Sequence, residues 1–285
     1  PFAPRPRPPL SPSSRFIVFT LNRRIMKLYA RITLRLVPLD SDVKSKEVPP
    51  MTRHFGVLIP STNTTVEIEY TQLLPRWLQA HYARLGKIED IAFSPSRDDD
   101  LSYQSKLLGN AKVEAISLTQ TSASVHDDNY DATANACMAA GANAPAFTSA
   151  EAIGRAVLAL GGKRIALVSP YSDAVMARTK RYFTLRYGLE VIATAAFGAT
   201  DSYAIGEIEE AQAIQAFDDI DQPNIDVMVV PGGNFPTMQY ISKWEQRLGK
   251  PVITTNQAVI WGVLQALVVT DPVPGLGALL ENPAG

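Results

Sequence analysis

The stretch KRIALVSPYSDAVMARTKRYFTLRYGLEVIATAAF (163–197) decides the fold. KRIALVSP (163–170) is a short apolar run, as a strand buried on both faces requires. ARTKRYFTLRYG (177–188) then reads as a helix closed by Gly188, and LEVIATAAF (189–197) as a second strand. Strand, helix, strand at this spacing is the unit of a parallel sheet covered by helices.

The same alternation extends both ways. Upstream, HFGVLIP (54–60) reads as a buried strand, STNTTVEIEYTQLLPRWL (61–78) as a helix and ARLGKI (83–88) as a weak strand. YQSKLLGNAKV (103–113) is a helix candidate, EAISLTQ (114–120) a strand, DATANACMAAG (131–141) a helix stopped by Gly141, and SAEAIGRAVLALGG (149–162) a helix with a Gly-Gly stop. Downstream come a helix at EIEEAQAIQAFDDI (207–220), a strand at IDVMVVPGG (225–233) and a helix at TMQYISKWEQRLG (237–249). KPVITTN (250–256) is the last strand and NQAVIWGVLQAL (256–267) the final helix. The restart near residue 163 implies two similar α/β halves. The expected domains are 51–160 and 161–256, with the C-terminal helix, about 257–285, returning to the first.

Residues 1–50 differ in kind. They hold ten Lys or Arg against three Asp or Glu, a local charge of +7, which leaves −8 on the rest of a chain of net charge −1. Proline-rich PFAPRPRPPLSPSS is expected to be disordered. The basic, apolar stretch that follows reads either as a mitochondrial transit segment or as an extension foreign to the fold, since Met51 stands just before the first good strand. Without a transit segment, a cytoplasmic location is expected.

Composition excludes several function classes. The near-neutral charge gives no general attraction to nucleic acid or to an anionic membrane, and no apolar run is long enough to span a bilayer. The single Cys137 excludes a disulfide framework. His54, His81 and His126 lack metal-ligand spacing, so no metal is expected. No strand is followed by a dinucleotide fingerprint, a P-loop or a GxSxG elbow, so no nucleotide cofactor is expected either.

Four strand ends collect polar residues: PSTNTT (60–65), TQTS (119–122), SPYS (169–172) and PGGN (231–234). Ligands of open α/β sheets bind beyond the carboxyl ends of strands. Hydroxyls and free N–H groups there suit a carboxylate or phosphate, although each residue taken singly also reads as a helix cap.

GVLIPSTNTTVEIE (56–69), HYARLGKI (81–88), GKRIALVSPY (162–171), PGGNFPT (231–237) and WEQRLGKPVITTNQAVIW (244–261) resemble, in order and spacing, the aspartate/glutamate racemase superfamily. The likeness is to the branch of maleate cis-trans isomerases and arylmalonate decarboxylases, and covers about residues 53–280. It implies two Rossmann-like parallel-sheet domains related by a pseudo-two-fold axis, a small mono- or dicarboxylate bound between them, no cofactor, and often a homo-oligomer. It also implies a cysteine at a strand end in each half. Those positions fall at Gln120 and at Gly232, or at Pro231 with a one-residue slip, and neither half offers a thiol. The resemblance assigns Thr121, Ser122 and Tyr171 to a carboxylate-holding cluster. It gives Asn63 contact with substrate, and Gly233 and Asn234 backbone N–H donors. A further family Asn falls near Ser202. Cys137, on a helix, reads as a small core residue.

Two functions follow. One is an isomerase, racemase or decarboxylase using other acid–base groups. Tyr171 is the candidate proton carrier if its pKa is lowered, and His126 and Asp127 are further candidates, although HDDN (126–129) reads first as a solvated loop. The other is a non-catalytic carboxylate-binding protein that keeps the scaffold.

Overall fold

The computed structural model describes residues 51–86 and 93–284. The basic segment 1–50 and the end of the expected strand 83–88 lie outside the described residues.

The first sheet contains β1 (Arg53–Pro60), β2 (Leu78–Leu85), β3 (Ile116–Leu118) and β4 (Ala146–Thr148), in the order β2-β1-β3-β4. The second contains β5 (Arg164–Ser169), β6 (Glu190–Ala196), β7 (Val227–Val230) and β8 (Val252–Thr254), in the order β6-β5-β7-β8. Every pairing is parallel. The two α/β halves expected from the restart near residue 163 therefore share one strand order, and both sheets lie in one compact unit of the chain. In each, the chain builds one side of its first strand and then crosses to the other. The crevice opened by that reversal lies between the carboxyl ends of β1 and β3 in one sheet and of β5 and β7 in the other. These are the four polar strand ends.

Local chemistry explains the departures from expectation. Helix α1 is short, Val66–Leu73, and does not run through residue 78. Leu74 takes extended angles because Pro75 follows it, and a residue before proline is driven out of the helical region. The freed residues start β2 five positions earlier than ARLGKI suggests. This edge strand pairs only with β1, and its middle positions are half-buried, which blurs the apolar signal.

Helix α2 (Asp98–Asn110) and the four-residue turn of helix α3 (Thr121–Ser124) precede helix α4 (Tyr130–Ala142). Gly141 does not stop α4. A Cβ there would sit 2.7 Å from the Ser105 Cβ, so the glycine serves the close approach of α2. The stop is Asn143, in the left-handed region at φ 53°. Helix α5 (Ser149–Ala159) is capped by Thr148, and α6 (Asp173–Tyr187) ends at Gly188 as expected. Helix α7 (Glu210–Ile220) follows, and the expected helix 237–249 is a 3-10 turn, Met238–Tyr240, leading into α8 (Ile241–Leu248).

Helix α9 (Thr255–Ala266) ties the halves together. Its residues Thr255–Leu264 are buried on every side. It starts from β8 of the second sheet, yet the Arg155 guanidinium of α5 lies over its Trp261 ring at 5.7 Å. Gly262 fits because a Cβ would come within 2.7 Å of the Phe147 ring on β4. The larger apolar core runs through this contact, from Phe55 and Phe147 of the first half to Val168 and Val229 of the second. A short helix α10 (Ala278–Glu281) completes the described chain.

Candidate active site

The four polar strand ends line one cleft between the two sheets. Asn63, Gln120, Thr121, Ser122, Tyr171, Gly232, Gly233 and Asn234 all face this one space, as does Ser202. Residues 170 positions apart in sequence meet here only because both reversal points open on the same cleft.

At the end of β3 the chain leaves the sheet at Thr119 and Gln120 and enters α3. The Thr121 and Ser122 N–H groups stand in the first turn, where no intrahelical acceptor exists. The Thr121 hydroxyl lies 3.1 Å from the Ser149 Oγ and 3.2 Å from the Thr255 Oγ1. Gln120 is buried, and both ends of its amide are engaged. Its Oε1 accepts from the Ser96 Oγ at 2.8 Å, and its Nε2 donates to the Ser94 carbonyl at 2.7 Å.

Across the cleft, the loop 231–234 is held from several sides. The Gly232 N–H donates to the Thr255 Oγ1 at 2.8 Å. The Gly233 carbonyl accepts from Asn63 Nδ2 at 3.1 Å and Asn256 Nδ2 at 3.2 Å. A trans peptide opposes its C=O and N–H, so these two amides turn the Asn234 N–H the other way. Asn256 also donates to Glu69 Oε2 at 2.6 Å, and the Glu69 Oε1 accepts from the Thr237 and Met238 N–H groups at 2.6 and 2.8 Å. Burial pushes the Glu69 carboxyl up, opposed by these three donors. Asn63 and Asn234, which the resemblance places at the substrate, are already bonded across the interface. Asn63 Oδ1 accepts from Thr65 and Val66, and Asn234 Oδ1 accepts from the Thr64 N–H at 2.7 Å.

Tyr171 is fully buried, and its ring meets Phe93 edge-on at 5.4 Å. Burial pushes its phenol up, with a hydrogen bond to Thr121 pulling the other way. This corrects the expectation of a lowered pKa: at neutral pH Tyr171 is an uncharged hydroxyl donor. His126 and Asp127 are exposed and do not line the cleft, as a solvated loop requires. Cys137 lies on α4, half-buried against the smaller core cluster of Leu101, Met138 and their neighbours, away from the cleft.

Sequence reasoning missed Phe93, Thr255, Asn256 and Glu69. Phe93 sits in a loop that carries no pattern. Thr255 was read as the end of the strand 250–256 and Asn256 as the first residue of the helix after it, whereas Thr255 already opens that helix and the contacts of both with the other strand ends are tertiary. Among the described residues no group of three or more His, Cys, Asp or Glu is placed to hold a metal ion. No helix there is long and apolar enough to cross a membrane.

The family model described as arylmalonate decarboxylase matches residues 55–280. The chain belongs to that family. A maleate isomerase of Geobacillus stearothermophilus is 26% identical over 258 residues, covering 81% of this chain and 99% of the relative. An arylmalonate decarboxylase of Bordetella bronchiseptica is 27% identical over 173 residues, covering 59% and 71%. Among solved structures, a cysteine-to-serine mutant of the maleate cis-trans isomerase of Nocardia farcinica, holding a covalently bound succinylcysteine intermediate, superposes with a TM-score of 0.71 at 24% identity, covering 81% of this chain and 98% of that one. The maleate isomerase of Pseudomonas putida S16, solved with maleate, gives 0.70 at 23% identity over the same shares. These neighbours share the family's fold, with two parallel sheets and flanking helices.

Proposed function

We propose that the chain binds a small mono- or dicarboxylate between its two halves on an array of uncharged donors, without thiol chemistry. In this reading Gln120 and Gly232 stand at the family's two cysteine positions. One observation carries it: among the described side chains of the cleft, Tyr171 alone titrates, and its phenol is held neutral. Moving a proton on and off carbon needs a group that changes charge near the working pH, and a neutral amide or a glycine does not. Binding a carboxylate needs only donors. The Thr121, Ser122 and Tyr171 hydroxyls and the N–H groups of Gly233 and Asn234 offset the cost of desolvating the anion. The named relatives support the ligand class, since maleate and arylmalonates are both small dicarboxylates.

A second reading keeps an isomerase, racemase or decarboxylase. The same donors favour it, because they would stabilise an enolate or carboxylate charge as it develops. Proton NMR of the purified chain in D2O, with maleate, phenylmalonate, aspartate and glutamate, separates the two. Line broadening of a ligand without turnover supports a binding protein. Fumarate, loss of a carboxylate or deuterium at the α-carbon establishes the second reading. A spectrum unaffected by the protein for all four compounds overturns both.

A further inference from the structure

The amide at the end of β3 has work of its own. Gln120 binds the segment 93–96 at two points, Ser96 Oγ on its Oε1 and the Ser94 carbonyl on its Nε2. Phe93, next in the chain, is held at φ 67°, a left-handed conformation that a bulky L residue adopts only when its surroundings impose it. The far side of the segment is pinned as well, with the Arg97 N–H donating to the Gly86 carbonyl at 3.2 Å. The Phe93 ring lines the cleft and packs edge-on against Tyr171, 72° between planes, and Tyr171 in turn bonds Thr121. The contacts close a circuit: Gln120, Ser94, Phe93, Tyr171, Thr121 and back along the chain to Gln120.

We propose that Gln120 is a positioning residue that latches segment 93–96, and that the Phe93 ring held by this latch restricts the cleft to carboxylates whose remainder is small and aliphatic. The ligand class rests on the carboxylate reading above, whereas the latch does not. An aryl substituent needs the space that the ring fills, and the ring is held through Ser94, Ser96 and Arg97, the tied residues that follow it. A short aliphatic chain makes no such demand.

The test uses the full chain and its Phe93→Ala, Gln120→Ala and Gln120→Leu variants. Affinities for maleate and phenylmalonate are measured by calorimetry, and amide hydrogen exchange is followed at Arg97. The wild-type protein should prefer maleate by about tenfold or more, and each variant should lose about tenfold of that preference. In both Gln120 variants Arg97 exchange should speed up, while exchange in β5 stays as it was. Equal wild-type affinity for the two ligands overturns the wall. A preference lost in Phe93→Ala but kept in both Gln120 variants overturns the latch. If the wild type binds neither compound, the carboxylate reading fails and exchange alone decides the latch: unchanged Arg97 protection in Gln120→Leu overturns it.

Discussion

The two sheets follow one plan and finish it differently. Leu118 of β3 pairs with Thr148, which caps α5, and Val230 of β7 pairs with Thr254, which caps α9. Two residues past each strand end stand Gln120 and Gly232. Gln120 carries a long side chain bonded at both ends. Gly232 sits at φ 141°, where a Cβ would meet the Pro170 ring at 2.9 Å. Topology delivers both positions to one cleft, but the packing around each decides what side chain it tolerates. A chemical role inferred for one half does not carry to the other by symmetry.

The largest expected effect is at the joint that makes the comparison possible. Glu69→Ala leaves the Thr237 and Met238 N–H groups and the Asn256 amide without their buried acceptor. It should cost about 4 kcal/mol in urea unfolding, since each unmet buried donor costs about 1–3 kcal/mol. A loss below about 1 kcal/mol would mean that the halves do not depend on this carboxylate. Next comes the contrast itself. Gly232→Ala should lose about 2–3 kcal/mol through a backbone that only glycine adopts easily, against about 1 kcal/mol for Gln120→Ala. Equal losses would break the asymmetry argued here. It follows that introducing a thiol at 232 is a poor test of activity, because the substitution strains the fold first.

The paired caps sharpen the comparison further. The Thr148 Oγ1 accepts from the Glu151 N–H at 3.2 Å and donates to Asp131 at 2.9 Å, whereas the Thr254 Oγ1 accepts from the Gln257 N–H at 3.5 Å. Alanine at 148 should therefore cost about 2 kcal/mol and at 254 about 1 kcal/mol by thermal melts, and the reverse order would contradict the geometry.

The smallest effect is at the surface of the second half. There Asp226 bonds the Arg164 side chain and the Arg164 and Lys163 N–H groups, which hold its carboxyl well below the usual range. A lowered folded pKa contributes stability above the unfolded value of 3.8, and that stability is lost as pH falls below it. Wild type should thus melt slightly above Asp226→Asn at pH 7, with the gap closing under acid. A gap that stays constant with pH would remove the charge from the explanation.

Much of the fold was legible in the chain. The strands of the β1, β5 and β7 type are short runs of Val, Ile and Leu buried on both faces, so composition alone marks them. β2 was placed late because an edge strand with half-buried, polar residues lacks that mark, and β4, three residues long, was not seen. The site was legible as four polar strand ends, since reversal of strand order puts ligand crevices there.

By itself, then, the sequence determined the alternation of elements, their division into two halves, and the short roster of uncharged polar residues that reach the strand ends. These follow from local periodicity and from the carboxyl-end rule, which need no knowledge of distant contacts. Only the tertiary structure decided what those residues do. Gln120 is tied to Ser94 and Ser96, Asn63 and Asn234 bridge the halves, a side chain at 232 would strain the backbone and crowd Pro170, and Tyr171 is buried to neutrality. Hydrogen-bond partners and desolvation depend on atoms brought together from far along the chain, and no pattern along the sequence records them.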